Sequence, residues 1–379
     1  MSRKMTSAKA TKIKIGVLYG GRSGEHDVSL CSAASVFSAL DRKKYRVVAV
    51  GIDRDGRWYV QEKPQIVPDK DFGRKLALKK NGPWLVNHFE RNNKLCLYNM
   101  KNKNKIVAVD VVFPVVHGTF CEDGTLQGLL ELAMVPYVGA DVLGSAVGMD
   151  KDVAKRLLKE AGIPVVPSVT VGKSRWREDK KNIIREVLEK IGLPLFVKPA
   201  CAGSSVGVKK VAKKEKLAQA VNFAFQFDNK VLIEKAVDCR EIECAVLGNE
   251  KPVASVLGEV IPRHEFYSYE AKYLDPDGAD LKIPAKVDKA LADKIRKTAV
   301  EGYKALGCTS MARVDFFLDK GTGKFYLNEV NTLPGFTSIS MYPKLWAATG
   351  VPYGRLLDKL IALALKRHAK KLEIKTDGV

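Results

Sequence analysis

No apolar run in this chain approaches the roughly 20 residues that a membrane-spanning helix needs, and the first hydrophobic segment stops at Gly20-Gly21. The basic start MSRKMTSAKATKIK therefore lacks the apolar region and cleavage site of a secretory signal. The expected location is the cytoplasm, with no membrane insertion. Seven cysteines, at 31, 96, 121, 201, 239, 244 and 308, form no CxxC pair. That spacing argues against a disulfide framework and against a structural zinc site. Acid is scarce as well: 43 Asp and Glu face 64 Lys and Arg, a net charge of +21. Such an excess first suggests nucleic acid. Its distribution argues otherwise, because residues 1–14, 54–105 and 366–379 hold sixteen of the twenty-one excess charges. These are two tails and an insertion, so a solvated basic surface, and no nucleic-acid partner, is the expectation.

What is present is a globular composition, 46% hydrophobic and 28% charged, in 379 residues. That length is too great for one compact core and implies two or three domains. The first part alternates strand and helix. KIKIGVLYGG reads as a buried strand ending in glycines, and Ser29 as the cap of a helix whose Leu30, Ala33, Ala34, Phe37 and Leu40 share one face. YRVVAVGID and VDVVFPVV read as further strands, and a helix is expected from about Thr125. This order predicts a parallel α/β sheet. The stretch 54–105 is rich in Lys and Asn with weak periodicity and reads as an insertion of unassigned structure.

Asp150 opens a helix that Gly162-Ile163-Pro164 ends. Beyond it, PLFVKPA, VGVKKV, KVLIEKAV, IECAVLGN and KPVASVLGEV are short strand candidates with few helices between them, which predicts an antiparallel sheet. A helix of about 20 residues around Leu291–Leu306, a hairpin ARVDFFLD-KGTG-KFYLNEV and a closing helix complete the chain.

Two features carry chemistry. GSSVG at 203–207 follows Lys198 closely. Glycines let backbone N–H groups approach a phosphate, serines add donors and a lysine neutralises charge. The loop is neither a Walker A sequence nor a GxGxxG turn. The hairpin is the second feature. Arg313 and Asp315 share a face of one strand, Glu329 and Asn331 a face of the other. Carboxylates with an amide oxygen suit magnesium, and an arginine beside them suits a transferring phosphoryl group.

HGTFCEDGTLQG (117–128) and RVDFFLDKGTGKFYLNEVNTLPG (313–335) resemble the two signatures of D-alanine–D-alanine ligases. GGRSGEHDVSL, KPACAGSSVG, VLIEKAV, FYSYEAKY and GFTSISMYP match that family in order, so the resemblance spans about residues 12 to 367. Cys121 departs from it, because the family usually has glycine there, which bears on the local turn.

The resemblance implies an ATP-grasp fold, α+β in its ATP-binding part, behind an N-terminal parallel α/β domain. The expected division is 12–150 for the N-terminal domain, 151–245 for a central ATP-grasp subdomain and 246–367 for a C-terminal domain with a mobile loop at about 262–283. It implies ATP held by Lys151 and Lys198 at the phosphates, Ser204 and Ser205 in the closing loop, Glu234, Lys235 and Val237 at the adenine side, and Glu241 reaching the ribose or anchoring the loop. Two Mg2+ ions, with Mn2+ able to stand in, would be held by Asp315, Glu329 and Asn331. Arg313 and the Gly335 N–H would stabilise developing charge, Glu25 would pair with the first D-alanine's ammonium beside His117, and Ser340 would meet the second carboxylate. Lys272 would reach the γ-phosphate, and Tyr273 would link the loop to Ser204 and Glu241 and favour D-alanine over D-lactate as second substrate. The implied activity is D-alanyl-D-alanine synthesis for peptidoglycan in a homodimer, the alternative being a D-alanine–D-lactate or other carboxylate–amine ligase.

Overall fold

Ile13–Gly20 is buried from Ile15 onward, as expected of a strand covered on both faces. In the computed structural model, which describes residues 12–82, 84–87, 94–102, 104–263 and 279–375, it lies one strand in from an edge of a sheet of seven strands. Tyr45–Ile52 and Val111–Pro114 flank it, both parallel. The helix that returns from it, His26–Ala39, is reached through Gly20 and Gly21, at φ +88° and +107°. A side chain at Gly20 would put its Cβ 2.2 Å from the Ile52 carbonyl oxygen, so the strand-to-helix turn admits only glycine there. Ser29 is not the helix cap. Glu25 occupies that position, and Ser29 lies a turn inside, accepting from the Gly20 N–H at 2.7 Å and donating to the Val115 carbonyl. It fastens the helix to two strand ends instead of closing the helix's first turn.

The basic insertion is structured. Trp58–Gln61, Trp84–Asn87 and Leu95–Asn99, followed by Ile106–Val109, extend the parallel strands as an antiparallel run on the Tyr45–Ile52 side. Ile66–Asp69 and Gly73–Leu76 form a separate ribbon against the helix His26–Ala39, where Leu76 is fully buried. Its sparse apolar positions hide this structure, since each strand is only four or five residues long.

Asp150 caps the helix Lys151–Glu160, accepting from the Asp152 and Val153 N–H groups. A four-stranded antiparallel sheet follows, in the order Ser168–Gly172, Lys230–Lys235, Leu195–Pro199, Lys209–Val211. Two helices, Lys173–Lys190 and Lys214–Ala224, pack on it, more helix than the sequence reading allows. The first is strongly charged and buries only Trp176, Ile183 and Val187, too thin a stripe to announce itself.

The last sheet has five antiparallel strands in the order Ala279–Lys282, Val253–Pro262, Cys239–Leu247, Met311–Asp319, Phe325–Asn331. The chain passes from the four-stranded to the five-stranded sheet between Lys235 and Cys239, so a division at 245/246 would cut through a strand. The helix Lys151–Glu160 also buries Ala154 and Leu158 in the five-stranded sheet's core, beside the helix Lys289–Ala305. No helix among the described residues is long and apolar enough to cross a membrane.

Candidate active site

Strand register settles what spacing leaves open in the hairpin. Asp315 pairs with Glu243 on one side and with Glu329 on the other, placing three carboxylates in a row across adjacent strands. Arg313 pairs with Asn331 in the next row. Phe316 pairs with Leu327, so Asn328 is an extra residue in its strand, a β-bulge. The bulge resets the alternation: Phe325, Leu327 and Val330 enter the core, while Glu329 and Asn331 stand on the Asp315 side.

Arg313 is half-buried and grips Asp315 with two bonds, Nε at 2.8 Å and Nη2 at 2.7 Å. Its Nε also lies 3.0 Å from Glu243 Oε2. Burial alone would depress the guanidinium pKa, but Asp315 and then Glu243 hold it well above its ordinary value. The charge is permanent and aimed by two carboxylates. Glu243 is a site residue that sequence reasoning misses, since only the register shows that it faces Asp315.

The phosphate loop meets this hairpin through lysines. Lys151 Nζ donates to the Ala202 carbonyl at 2.8 Å and lies 3.8 Å from Glu329 Oε2. Lys198 Nζ lies 2.5 Å from Glu234 Oε1 and 3.5 Å from Asn328 Oδ1. The Glu234 carboxylate thus turns inward onto lysine instead of toward a base. Exposed Lys235 and half-buried Val237 and Glu241 stand where the chain crosses between the sheets. In the loop itself Ser204 and Ser205 both adopt left-handed backbone, φ +48° and +60°.

Ser204 joins the phosphate loop to the N-terminal domain, because its hydroxyl donates to Glu25 Oε1. Glu25 is 7% exposed, and glycines make room for it: a Cβ on Gly118 would lie 2.7 Å from Glu25 Oε2, and one on Gly203 3.2 Å. Glu122 accepts from the Gly118 N–H at 3.0 Å. Burial, and then the neighbouring Glu25 carboxylate, push the Glu122 carboxyl well above its usual range. Position 121 does not itself require glycine. The left-handed turn positions are Gly118, Phe120 and Gly124, and the thiol is buried beside Gly21.

His117 bridges to the Leu333-Pro334-Gly335 turn. Its Nδ1 lies 3.0 Å from the Leu333 carbonyl and its Nε2 3.4 Å from Ser32 Oγ, which accepts from the Phe336 N–H at 3.3 Å. Burial and the Arg313 charge lower its pKa to about 4, so the ring is neutral at pH 7, donating from Nδ1 and accepting at Nε2. The peptide that carries the Gly335 N–H is therefore held through both neighbours, the Leu333 carbonyl by His117 and the Phe336 N–H by Ser32. A Cβ on Gly335 would lie 2.8 Å from Ser340 Oγ, which also accepts from the Thr337 N–H. Ser32, like Glu243, carries no local sequence signal.

The structure thus brings Glu25, His117, Ser204, Gly335 and Ser340 into one group and Lys151, Lys198, Glu234, Arg313, Asp315, Glu329 and Asn331 into another. The Arg313 charge acts on His117, and the loop that carries Ser204 is tied to Lys151 through the Ala202 carbonyl. Lys272, Tyr273 and the body of the 262–283 loop lie outside the described residues. The donor set Asp315, Glu329 and Asn331 fits a hard, oxygen-seeking cation. Among the described residues no group of three acidic, His or Cys side chains is gathered closely enough to hold an ion, and Arg313 engages both Asp315 oxygens. An open concavity of about 510 Å³ lined by Lys12, Lys14, Arg42, Tyr45, Arg46 and Val47 holds no carboxylate and offers no such chemistry.

Comparisons with known proteins agree with this geometry. Residues 14–140 match the family described as D-ala D-ala ligase N-terminus, and residues 157–362 that described as D-ala D-ala ligase C-terminus. The D-alanine–D-alanine ligase A of Bradyrhizobium diazoefficiens is 50% identical over 96% of this chain and 97% of its own length. The D-alanine–D-alanine ligase A of Escherichia coli K12 is 48% identical over 96% and 99%. Among solved structures, the D-alanine-D-alanine ligase from Coxiella burnetii superposes with a TM-score of 0.82 at 37% identity, covering 96% of this chain and 97% of that one. The VanG D-Ala:D-Ser ligase from Enterococcus faecalis gives 0.79 at 36%, covering 93% and 100%. The fold is the α/β ATP-grasp fold, and the chain belongs to the D-alanine–D-alanine ligase family.

Proposed function

We propose that the protein joins two D-alanines at the expense of ATP, by way of an acyl phosphate. The observation that carries this reading is the Ser204–Glu25 contact, which sets a buried carboxylate beside a phosphate loop. A carboxylate is a poor electrophile. Transfer of the γ-phosphoryl group from ATP to the first D-alanine's carboxylate oxygen releases ADP and makes a mixed anhydride. The second amine then attacks the acyl carbon and phosphate leaves.

Lys151, at the start of its helix, and Lys198, near the end of its strand, would hold the phosphates, and Ser204 and Ser205 would close over them. Glu25 would pair with the first ammonium, and Glu122, kept neutral, would leave that negative charge single. Lys235, Val237 and Glu241 would receive the base and ribose. Arg313 would stabilise charge on the transferring phosphoryl group and then, with the Gly335 N–H, on the tetrahedral oxyanion. Ser340 would meet the second carboxylate. Asp315, Glu329 and Asn331 would hold two Mg2+ ions, which supply charge neutralisation at the phosphates when bound.

Phosphate release with D-alanine, D-serine, D-lactate and L-alanine tests the proposal. D-alanine alone is expected to support turnover at least tenfold above the others at neutral pH. Equal or faster turnover with D-lactate or D-serine would overturn the substrate assignment. A second prediction concerns Ser32, which acts through the Gly335 turn. Ser32→Ala is expected to lower kcat about tenfold, the equivalent of one ordinary hydrogen bond, with the KM for ATP unchanged. It should be non-additive with His117→Asn. A loss residing in the ATP KM would refute the positioning role.

A further inference from the structure

Lys155 is a buried cation that none of these roles uses. It lies one turn after Lys151 on the helix Lys151–Glu160 and is 2% exposed. Its Nζ is 3.0 Å from Glu234 Oε2, while Lys198 Nζ is 2.5 Å from Glu234 Oε1. Its other polar neighbour is the Val166 carbonyl at 3.4 Å. One carboxylate therefore stands between two ammonium groups contributed by a different helix and strand. Burial pushes the Glu234 carboxyl up, yet Lys198 and then Lys155 hold it down at about 2, so it is an anion at any working pH.

We propose that Lys155 is a positioning residue that neutralises Glu234, so that Lys198 is aimed by that carboxylate yet keeps its positive charge for the nucleotide phosphates. A Lys198–Glu234 pair by itself would be neutral. An incoming polyphosphate would have to draw the ammonium away from its partner while facing an uncompensated carboxylate, in a site of low dielectric. With Lys155 present the three charges sum to +1, and the surplus sits at the lysine that reaches the cleft. Lys155 is too deeply buried to touch the ligand itself. Its helix also carries Lys151, so both phosphate lysines are referenced to one fixed carboxylate. The inference rests on the nucleotide reading above.

The test is calorimetric titration of the whole protein with ADP in magnesium buffer, and separately with adenosine. Lys155→Met is expected to weaken ADP binding tenfold or more and to leave adenosine binding within twofold. The double variant Lys155→Met/Glu234→Gln removes both charges of that pair, and should recover ADP affinity to within threefold of the parent. Lys155→Arg should also stay within threefold. Equal loss of ADP and adenosine binding in Lys155→Met would mean that the residue only packs, and overturns the proposal. So does a double variant tenfold or more weaker than the parent, which decides the matter alone if Lys155→Met does not fold. Failure of the parent protein to bind ADP would overturn the nucleotide reading, and this inference with it, before any variant is compared.

Discussion

Arg313→Met is expected to lower kcat about 10³-fold, the scale seen when an arginine that stabilises a transferring phosphoryl group is removed. Arg313 is the one guanidinium in the row Ala245–Arg313–Asn331, and both of its partners are carboxylates. A lysine there would keep the charge but could not present a two-pronged fork to Asp315. Arg313→Lys should therefore retain part of the activity and most of the stability. The methionine variant has a second, separable cost. Removing the cation leaves Asp315 and Glu243 facing each other in a half-buried site, and breaking a buried pair of this kind costs about 3–5 kcal/mol. Thermal unfolding should show that loss, while single-turnover phosphoryl transfer in the folded fraction reads the chemical step. A folded Arg313→Met protein with kcat within tenfold of the parent would remove Arg313 from the reaction.

Glu329→Ala is expected to cost about 10²-fold or more in turnover, because metal-assisted charge stabilisation at phosphates is worth several kcal/mol. The carboxylate stands opposite Asp315 in register and 3.8 Å from the Lys151 ammonium. Its loss should also raise the magnesium concentration at half-maximal rate, while leaving adenosine binding unchanged. An unshifted magnesium midpoint at near-normal rate would show that the bulged hairpin is not the metal-holding element. Glu329→Gln keeps the side-chain volume and separates the missing charge from a cavity.

Much of this architecture is written in local pattern. Ile13–Gly20, the cap at Asp150 and the Gly323 turn of the hairpin each follow from a few residues, because burial on both faces, capping and left-handed backbone have local signatures. The helix Lys173–Lys190 and the insertion strands are illegible for the opposite reason. Their apolar positions are few, and only the packed partner decides which face is inside. In the site, the gathering of Lys198, Arg313 and Glu329 comes through motif order. Glu243, Ser32 and Lys155 do not, since each is defined by a neighbour 72, 304 or 79 positions away in the chain: Asp315, Phe336 and Glu234. The bulge is an intermediate case. FYLNEVN breaks alternation visibly, with apolar residues at 325, 327 and 330, yet only the ladder shows which residue is the extra one.

Cys121 stands a few ångströms from the glycine turn that shapes the Glu25 pocket, a position where a reactive sulfur would expose the enzyme to every oxidant and alkylating reagent in its surroundings. Burial, and then the Glu122 carboxyl, push that thiol far above its ordinary range. The half-buried Cys201 and Cys239 are pushed up to about 12, again chiefly by burial. Thiolate is the attacking form, so at neutral pH these three sulfurs are chemically quiet. Inactivation by a thiol reagent would consequently track the opening of the fold, and its rate would measure how often the protein breathes.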